Sequence, residues 1–182
     1  MFSIFKKWLE GREKVFNREF FEKAVAFTLK MEGGYTKDTG GHTNFGISAK
    51  AHNLTREQIM DLTEDKAKEI YYDEYWVKGG CSEMPYPVAV AHFDACVNLG
   101  VKKAIRIIQG CCGLKKDGEL GPLTLKAVQV KNPRQLALDI ILFREAFYRK
   151  LAGFDKYRSY LRGWLNRTTA LRLKLGEMAL KQ

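Results

Sequence analysis

The sequence predicts a mainly α-helical fold with one small β-hairpin or ordered loop. Apolar residues recur every three or four positions through most of the 182 residues, which is the spacing of amphipathic helices. One stretch breaks this pattern, because Tyr35 to Ile47 is rich in Gly and Thr and poor in helix formers. The balance of 46% hydrophobic and 29% charged residues argues against disorder. We therefore expect a two-lobed helical protein rather than a sheet protein.

The first predicted helix runs from Asn17, a candidate N-cap, to Met31. Its apolar stripe is formed by Phe20, Ala24, Phe27 and Met31. The pair Gly33-Gly34 ends this helix, because glycine readily adopts the backbone conformation that follows a helix. The hairpin or ordered loop follows at once.

Two helices are predicted next. Thr55 to Gln58 has the capping-box pattern of a helix start, and a second helix begins near Thr63 and continues toward Trp76. Val77 to Pro87 is predicted as a loop and as the break in the chain.

The second half of the chain is predicted to be helical throughout. Val88 to Leu99 is strongly apolar and stops at Gly100, and further helices follow from Lys102 to Cys112, from Pro122, from Pro133 to about Leu151, and from about Trp164 to Leu180. Asp117-Gly118 marks a turn between two of these helices.

The N-terminus carries a short amphipathic stretch, with Phe2, Phe5, Trp8 and Leu9 on one side. We interpret residues 1–16 as an extension that packs on the body, in preference to a membrane-surface anchor. This stretch is too charged for a secretory signal, so we expect synthesis in the cytoplasm without a cleavable signal peptide. No run of about 18 apolar residues occurs, so stable membrane insertion is not expected.

The formal net charge of +10 favours a polyanionic partner, but it does not choose between nucleic acid, an acidic membrane and a bacterial cell wall. No nucleic-acid-binding signature is present. The four cysteines form no C-x-x-C pair, and although His92 and Cys96 lie four residues apart, we expect buried free thiols rather than a metal site.

Glu32 is the first candidate catalytic residue. It follows Phe21, Val25 and Thr28 at helical spacing, which puts it at the edge of an apolar surface and in the last turn of a helix. Both surroundings raise the pKa of a carboxyl group, and a general acid needs a raised pKa to keep its proton near neutral pH.

Asp38 lies in a polar, Gly-rich loop where hydration favours the ionised carboxylate, and Thr43 is positioned to share a water with it. Two carboxylates in contrasting environments are typical of glycoside hydrolases. Spacing alone leaves a second interpretation open, in which Glu32 is a solvated helix end and Asp38 a turn former.

The segment EGGYTKDTGGHTNFGI, from Glu32 to Ile47, resembles the start of glycoside hydrolase family 108, the bacterial and phage N-acetylmuramidases. That family shows E-G-G-Y and then D-x-G-G-x-T-x-[YF]-G-I. The resemblance continues through Tyr71, Tyr75-Trp76, Phe93-Asp94 and Asn98-Leu99-Gly100. Gln109, Asp117 to Thr124 and the string GWLNR at Gly163 to Arg167 look like the peptidoglycan-binding-type module usually joined to it. Ordered motifs over this length are far more specific than any one of them.

The resemblance implies a lysozyme-like α+β fold that cleaves the β-1,4 bond between N-acetylmuramic acid and N-acetylglucosamine in peptidoglycan. It implies a catalytic region at 17–98 and a helical peptidoglycan-binding-type region at 99–182 packed on the first. Glu32 is then the catalytic acid, and by analogy with phage-type lysozymes Asp38 and Thr43 place the attacking water, which makes the reaction inverting. Only Thr36-Lys37 separates the two motifs, where family members often carry a second Asp. A mechanism with Glu32 alone therefore stays open.

Aromatic residues near polar loops are candidates to stack on sugar rings: Tyr35, Phe45, Tyr75 and Trp76. Core packing is the alternative for each. Asn98 is a candidate ligand for an acetamido group or, equally, a helix-end cap. His42 is interpreted as an exposed loop residue rather than a base. The basic residues near the C-terminus are interpreted as a solvated face that also suits an anionic wall polymer: Arg167, Arg172, Lys174 and Lys181.

The predicted partner is bacterial peptidoglycan, with no nucleic acid, no cofactor and no metal. We expect a monomeric, bacteriolytic enzyme of the endolysin kind, with antimicrobial action, that reaches the wall in the periplasm or outside the cell, with a membrane pore as an export partner. The alternatives are a lytic transglycosylase that uses the same Glu32, and a wall-binding module without catalysis.

Overall fold

The computed structural model describes residues 18–38 and 41–179. The chain divides into two compact units, with the boundary between Glu74 and Tyr75. The predicted N-terminal extension, residues 1–16, lies outside the described residues, as does Lys181.

The first unit begins with a helix, α1, whose described part covers residues 18–32. Its apolar face is buried through Phe21, Ala24, Val25 and Phe27. The helix ends where Gly33 takes a positive φ of 75°. The predicted helix is therefore confirmed over residues 18–32, together with its glycine stop, while the predicted N-cap, Asn17, lies outside the described residues.

A three-stranded antiparallel sheet follows, in the order β1, Thr36–Asp38; β2, Gly41–Asn44; and β3, Ile47–Ser48. In the register, Thr36 pairs with Thr43, Asn44 pairs with Ile47, and Asp38 pairs with Gly41. The sequence predicted one hairpin or ordered loop, whereas the chain forms two consecutive hairpins that share β2.

Three short helices complete the first unit: α2, Ala49–His52; α3, Arg56–Met60; and α4, Glu64–Tyr71. The predicted capping box is confirmed, because Thr55 Oγ1 accepts from the Gln58 amide and the Gln58 side chain accepts from the Thr55 amide. Asn44 Nδ2 donates to Ile59 O at 3.1 Å and ties the sheet to α3. Helix α2 was not predicted.

A π-helical turn, Tyr72–Val77, continues directly from α4, and a short 3₁₀ helix, Cys81–Glu83, lies in the predicted loop. The central helix of the second unit is α5, Tyr86–Leu99, in which every residue from Val88 to Cys96 is buried. It packs against α6, Val101–Cys111, and α8, Pro133–Leu151.

The second unit also contains α7, Pro122–Val130; α9, Asp155–Arg158; and α10, Leu161–Ala179, which packs on α8. Proline occupies the first turn of α5, α7 and α8, as expected from its fixed φ. Among the helices that the structure describes, none has the length and hydropathy that crossing a membrane requires.

Candidate active site

Glu32 is the last residue of α1, and it is half-buried. The residues that precede it on the same helical face, Phe21, Val25 and Thr28, are completely buried. Glu32 therefore lies at the edge of the core of the first unit, and the chain changes direction directly after it, at Gly33.

The turn between β2 and β3 lies against the Glu32 side chain. Phe45 and Gly46, the two residues of this turn, have positive φ angles of 50° and 76°, as a type I′ hairpin turn requires. A Cβ atom added at Gly46 would lie 2.7 Å from Glu32 Cγ and 2.5 Å from Tyr71 Oη. Only glycine lets the backbone of this turn approach Glu32 and Tyr71 so closely.

Tyr71 fixes the same turn from α4. Its ring is buried, and its hydroxyl donates to Phe45 O at 2.8 Å. Phe45 is a bulky residue with positive φ, which is uncommon, and this hydrogen bond helps to hold it there. The contacts of Tyr71 make it a positioning residue, a role that the sequence did not assign to it. The available signal was a tyrosine on the apolar stripe of α4, whose buried hydroxyl must find a partner.

An open depression of about 380 Å³ borders the end of α1. Its walls combine apolar side chains with two glycines, Gly33 and Gly34, whose exposed backbone allows a bulky ligand to approach. The lining residues are Ala26, Leu29, Lys30, Gly33, Gly34, Phe45 and Glu64. Phe45 is the predicted sugar-binding residue that lies in this lining.

Tyr35 and His42 form a pair at the surface of the sheet. The Tyr35 hydroxyl lies 2.6 Å from His42 Nδ1, and the two rings are stacked at an interplanar angle of 26°. Tyr35 is 44% exposed, so one side of the pair faces solvent. His42 was predicted to be an exposed loop residue, whereas it lies half-buried in β2 and its ring is paired with Tyr35.

Asp38 and Thr43 occupy neighbouring paired strands. Asp38 is the last residue of β1 and pairs with Gly41, which is two residues before Thr43 on β2. Thr43 is half-buried in the central strand, between Thr36 and Ser48. The register thus places the backbones of Asp38 and Thr43 on adjacent strands, two positions apart.

The other predicted sugar-binding residues belong to the second unit. Trp76 has no exposed surface, and its Nε1 donates to Ser82 Oγ at 2.9 Å. It offers no face to a sugar ring, so it is left out of the proposed substrate site. Tyr75 is half-buried against the core cluster that includes Ala95. Asn98 Oδ1 accepts a hydrogen bond from the Tyr148 hydroxyl.

A buried ionic network crosses the second unit. Arg144 Nη2 and Arg167 Nη2 each lie 2.8 Å from a carboxylate oxygen of Asp94, and all three residues are buried. Burial alone raises the pKa of Asp94, but the charges of Arg144 and Arg167 outweigh it and hold this pKa below its ordinary value. Arg167 was predicted to lie on a solvated face. That prediction is wrong, because Arg167 is an internal partner of Asp94.

Gln109 and Asp117 build the predicted turn before α7. Gln109 Nε2 donates to Asp117 Oδ1 at 2.7 Å and to Glu119 O at 3.0 Å, and the Gly118 amide donates to Gln109 Oε1. The hydrogen bonds from the Glu119 amide and Gln109 lower the pKa of Asp117. These contacts give Gln109 and Asp117 a role in shaping the turn.

The comparisons agree with these motifs. Residues 25–100 match the model of a family described as glycosyl hydrolase 108, and residues 103–169 match one described as a predicted peptidoglycan domain. The chain therefore resembles glycosyl hydrolase family 108 over residues 25–100, which is less than half of its length. The predicted resemblance is confirmed on both parts of the chain. The boundary between the two compact units, at Glu74 and Tyr75, falls inside the first matched region, so the structural and the family boundaries differ.

A solved structure described as that of Brucella abortus SagA has the same fold. It superposes with a TM-score of 0.76 at 28% identity, over 87% of this chain and 94% of that one. The predicted lysozyme-like α+β class is thus confirmed. No curated protein matches the chain.

The two family matches indicate the general activity. They support glycoside hydrolase activity on peptidoglycan, with the match to a peptidoglycan domain following the match to the hydrolase region. Within residues 18–38 and 41–179, no group of three or more His, Cys, Asp or Glu side chains is arranged to hold a metal ion.

Proposed function

We propose that the chain is an N-acetylmuramidase that cleaves the β-1,4 bond between N-acetylmuramic acid and N-acetylglucosamine, with Glu32 as the general acid. The observation that carries the proposal is the contact between Glu32 and the Phe45-Gly46 turn, next to the open depression. A glutamate at a helix end, held by a turn that only glycine can form, is built for a fixed orientation. The family region that contains it supports a glycosidase role.

In this proposal Glu32 protonates the oxygen that leaves from carbon 1 of the muramic acid residue. The bond to that oxygen breaks as positive charge develops on the sugar ring. Asp38 and Thr43 hold a water on the opposite face, and Asp38 takes its proton as the water attacks. The reducing end formed at carbon 1 then has inverted configuration.

Tyr35 and Phe45 complete the proposed site as sugar-binding residues. Tyr35 is exposed at the start of the sheet, and Phe45 lines the depression. An aromatic face suits the apolar C–H face of a pyranose ring. Tyr75 and Asn98 stay candidate substrate ligands of the second unit. We further propose a monomer that acts on the wall after export through a pore, as a bacteriolytic endolysin.

Product analysis on purified peptidoglycan tests the proposed bond and reaction. The muramidase assignment predicts fragments with reducing muramic acid ends, identified by mass after borohydride reduction. Reducing glucosamine ends would contradict the assigned bond. Anhydro-muramic ends would indicate a lytic transglycosylase, which the short Thr36-Lys37 link between the two motifs also allows. Retention of the protein on the wall without any fragments would indicate a binding module.

A further inference from the structure

Three buried side chains of the second unit form a cluster that the proposed hydrolysis does not use. Cys81 begins the 3₁₀ helix, and His92 and Cys96 lie one turn apart in the middle of α5. All three are essentially without exposed surface, and both cysteines are free thiols. The two cysteines therefore come from separate segments of the chain and lie in the same core.

The two sulfur atoms lie beside the same glycine, Gly79. Each thiol shifts the pKa of the other. A Cβ atom added at Gly79 would lie 3.0 Å from Cys96 Sγ and 3.3 Å from Cys81 Sγ. Because Gly79 has no side chain, both sulfur atoms can lie close to its backbone.

The two thiols differ in their tendency to ionise. Burial alone raises the pKa of Cys96, but the hydrogen bond from Cys81 and the charge of His92 lower it to about 5. Burial raises the pKa of Cys81. His92 Nε2 lies 3.5 Å from Cys96 Sγ, in position to stabilise a thiolate. One nucleophilic sulfur beside one protonated sulfur is the arrangement that thiol–disulfide exchange needs.

We propose that Cys81 and Cys96 close into an intramolecular disulfide when the chain meets a disulfide oxidant. The Cys96 thiolate attacks one sulfur of the oxidant, RSSR, and expels one thiolate, which leaves a mixed disulfide. Cys81 then loses its proton and attacks Cys96 Sγ, which expels the second thiolate. Two protons and two RS⁻ leave as two RSH, and the two cysteine sulfurs are oxidised.

The bond would link the 3₁₀ helix near the start of the second unit to its central helix. Such a link constrains the unfolded chain more than the folded one, so it stabilises this unit. Disulfides persist in oxidising compartments and not in a reducing cytoplasm. The pair would therefore act as a stabilising lock outside the cytoplasm. This inference goes beyond the proposed function and does not depend on it.

The test uses the full chain with Cys111→Ser and Cys112→Ser, which leaves only the two cysteines in question. This protein is treated with oxidised glutathione while folded, and a second sample is refolded in a glutathione redox buffer. The refolded sample ensures that slow access to buried thiols cannot hide the bond. We expect a mass loss of about 2 Da and a peptide that links Cys81 to Cys96. We also expect a rise in Tm of about 5–10 °C that a reductant reverses.

The matched control adds Cys81→Ser to the same background and is expected to show neither change. Three results would overturn the proposal. The first is that both cysteines of the refolded protein are still reduced, as shown by their alkylation after denaturation. The second is a stable glutathione adduct on Cys96 without a link to Cys81. The third is a link that leaves the Tm unchanged or lowers it.

Discussion

Replacing Gly46 with alanine tests how the hairpin turn holds Glu32. The new Cβ would lie 2.5 Å from Tyr71 Oη and 2.7 Å and 2.8 Å from Glu32 Cγ and Cβ. Ordinary contacts begin near 3.4 Å, so either the turn or the Glu32 side chain must move by roughly half an ångström or more. The positive φ of 76° adds backbone strain for any residue with a Cβ atom.

The expected magnitude follows from these two costs. A left-handed conformation costs an L-residue about 1–2 kcal/mol, and overpacking a well-packed site costs about 1–3 kcal/mol. We therefore expect a loss of about 2–5 kcal/mol in the free energy of unfolding, which lowers the Tm by roughly 5–15 °C. Displacement of the proposed acid should lower the rate about 10-fold to 100-fold at temperatures where the variant is folded.

Gly113→Ala is the matched control. Gly113 has nearly the same φ, 74°, but no atom lies within 4 Å of an added Cβ. It therefore carries the backbone strain without the crowding, and we expect a loss of only about 1–2 kcal/mol with the rate preserved. Thermal unfolding and the release of reducing ends from peptidoglycan are measured for both variants. Equal losses of stability and of rate in the two variants would refute the proposed contact between the turn and Glu32.

Three further predictions concern single groups. Tyr71→Phe removes the donor to Phe45 O and should cost about 1–2 kcal/mol in thermal unfolding, and an unchanged Tm would count against the hydrogen bond. Asp94→Asn leaves Arg144 and Arg167 without their buried carboxylate and should cost about 3–5 kcal/mol at neutral pH. The pKa of Asp94 is lowered in the folded protein, so the ionised Asp94 contributes its full stability above its unfolded pKa of about 4, and this contribution is lost as the pH falls through the folded pKa. If the stability of Asp94→Asn fell as steeply with decreasing pH as that of the wild type, this prediction would be contradicted. Asp38→Asn and Thr43→Val should each slow hydrolysis by about 10-fold or more. The product that the wild-type enzyme first releases should be the α-anomer by NMR, whereas the β-anomer would indicate a retaining reaction.

Local sequence signals predicted much of the fold. The stop of α1 at Gly33 was predicted because glycine readily adopts the positive φ that follows a helix. The start of α8 at Pro133 was predicted because proline fixes φ at a value that suits the first helical turn. The capping box at Thr55 was predicted because its two hydrogen bonds join residues three apart. Helix α2 was missed, since its four residues carry no apolar stripe that could mark it.

The rest depends on contacts between residues far apart in the sequence. Tyr71 reaches Phe45 across 26 positions, and Arg167 reaches Asp94 across 73, so no periodicity reveals either pair. The apolar run of α5 predicted a buried helix, but it gave no sign that Asp94 would be buried inside it with two cations. Trp76 illustrates the same limit, because an aromatic residue near a polar loop is as compatible with the core as with a sugar site.

The most direct test of the central claim compares Glu32→Gln with Glu19→Gln on purified peptidoglycan. Both changes lie on α1 and replace one carboxyl group with an amide, but Glu19 is an exposed residue that pairs with Lys23. Circular dichroism and Tm establish that both variants are folded. The account predicts that Glu32→Gln releases reducing muramic acid ends at least about 100-fold more slowly than wild type, while Glu19→Gln keeps the wild-type rate. Release at the wild-type rate by folded Glu32→Gln would contradict the assignment of Glu32 as the general acid.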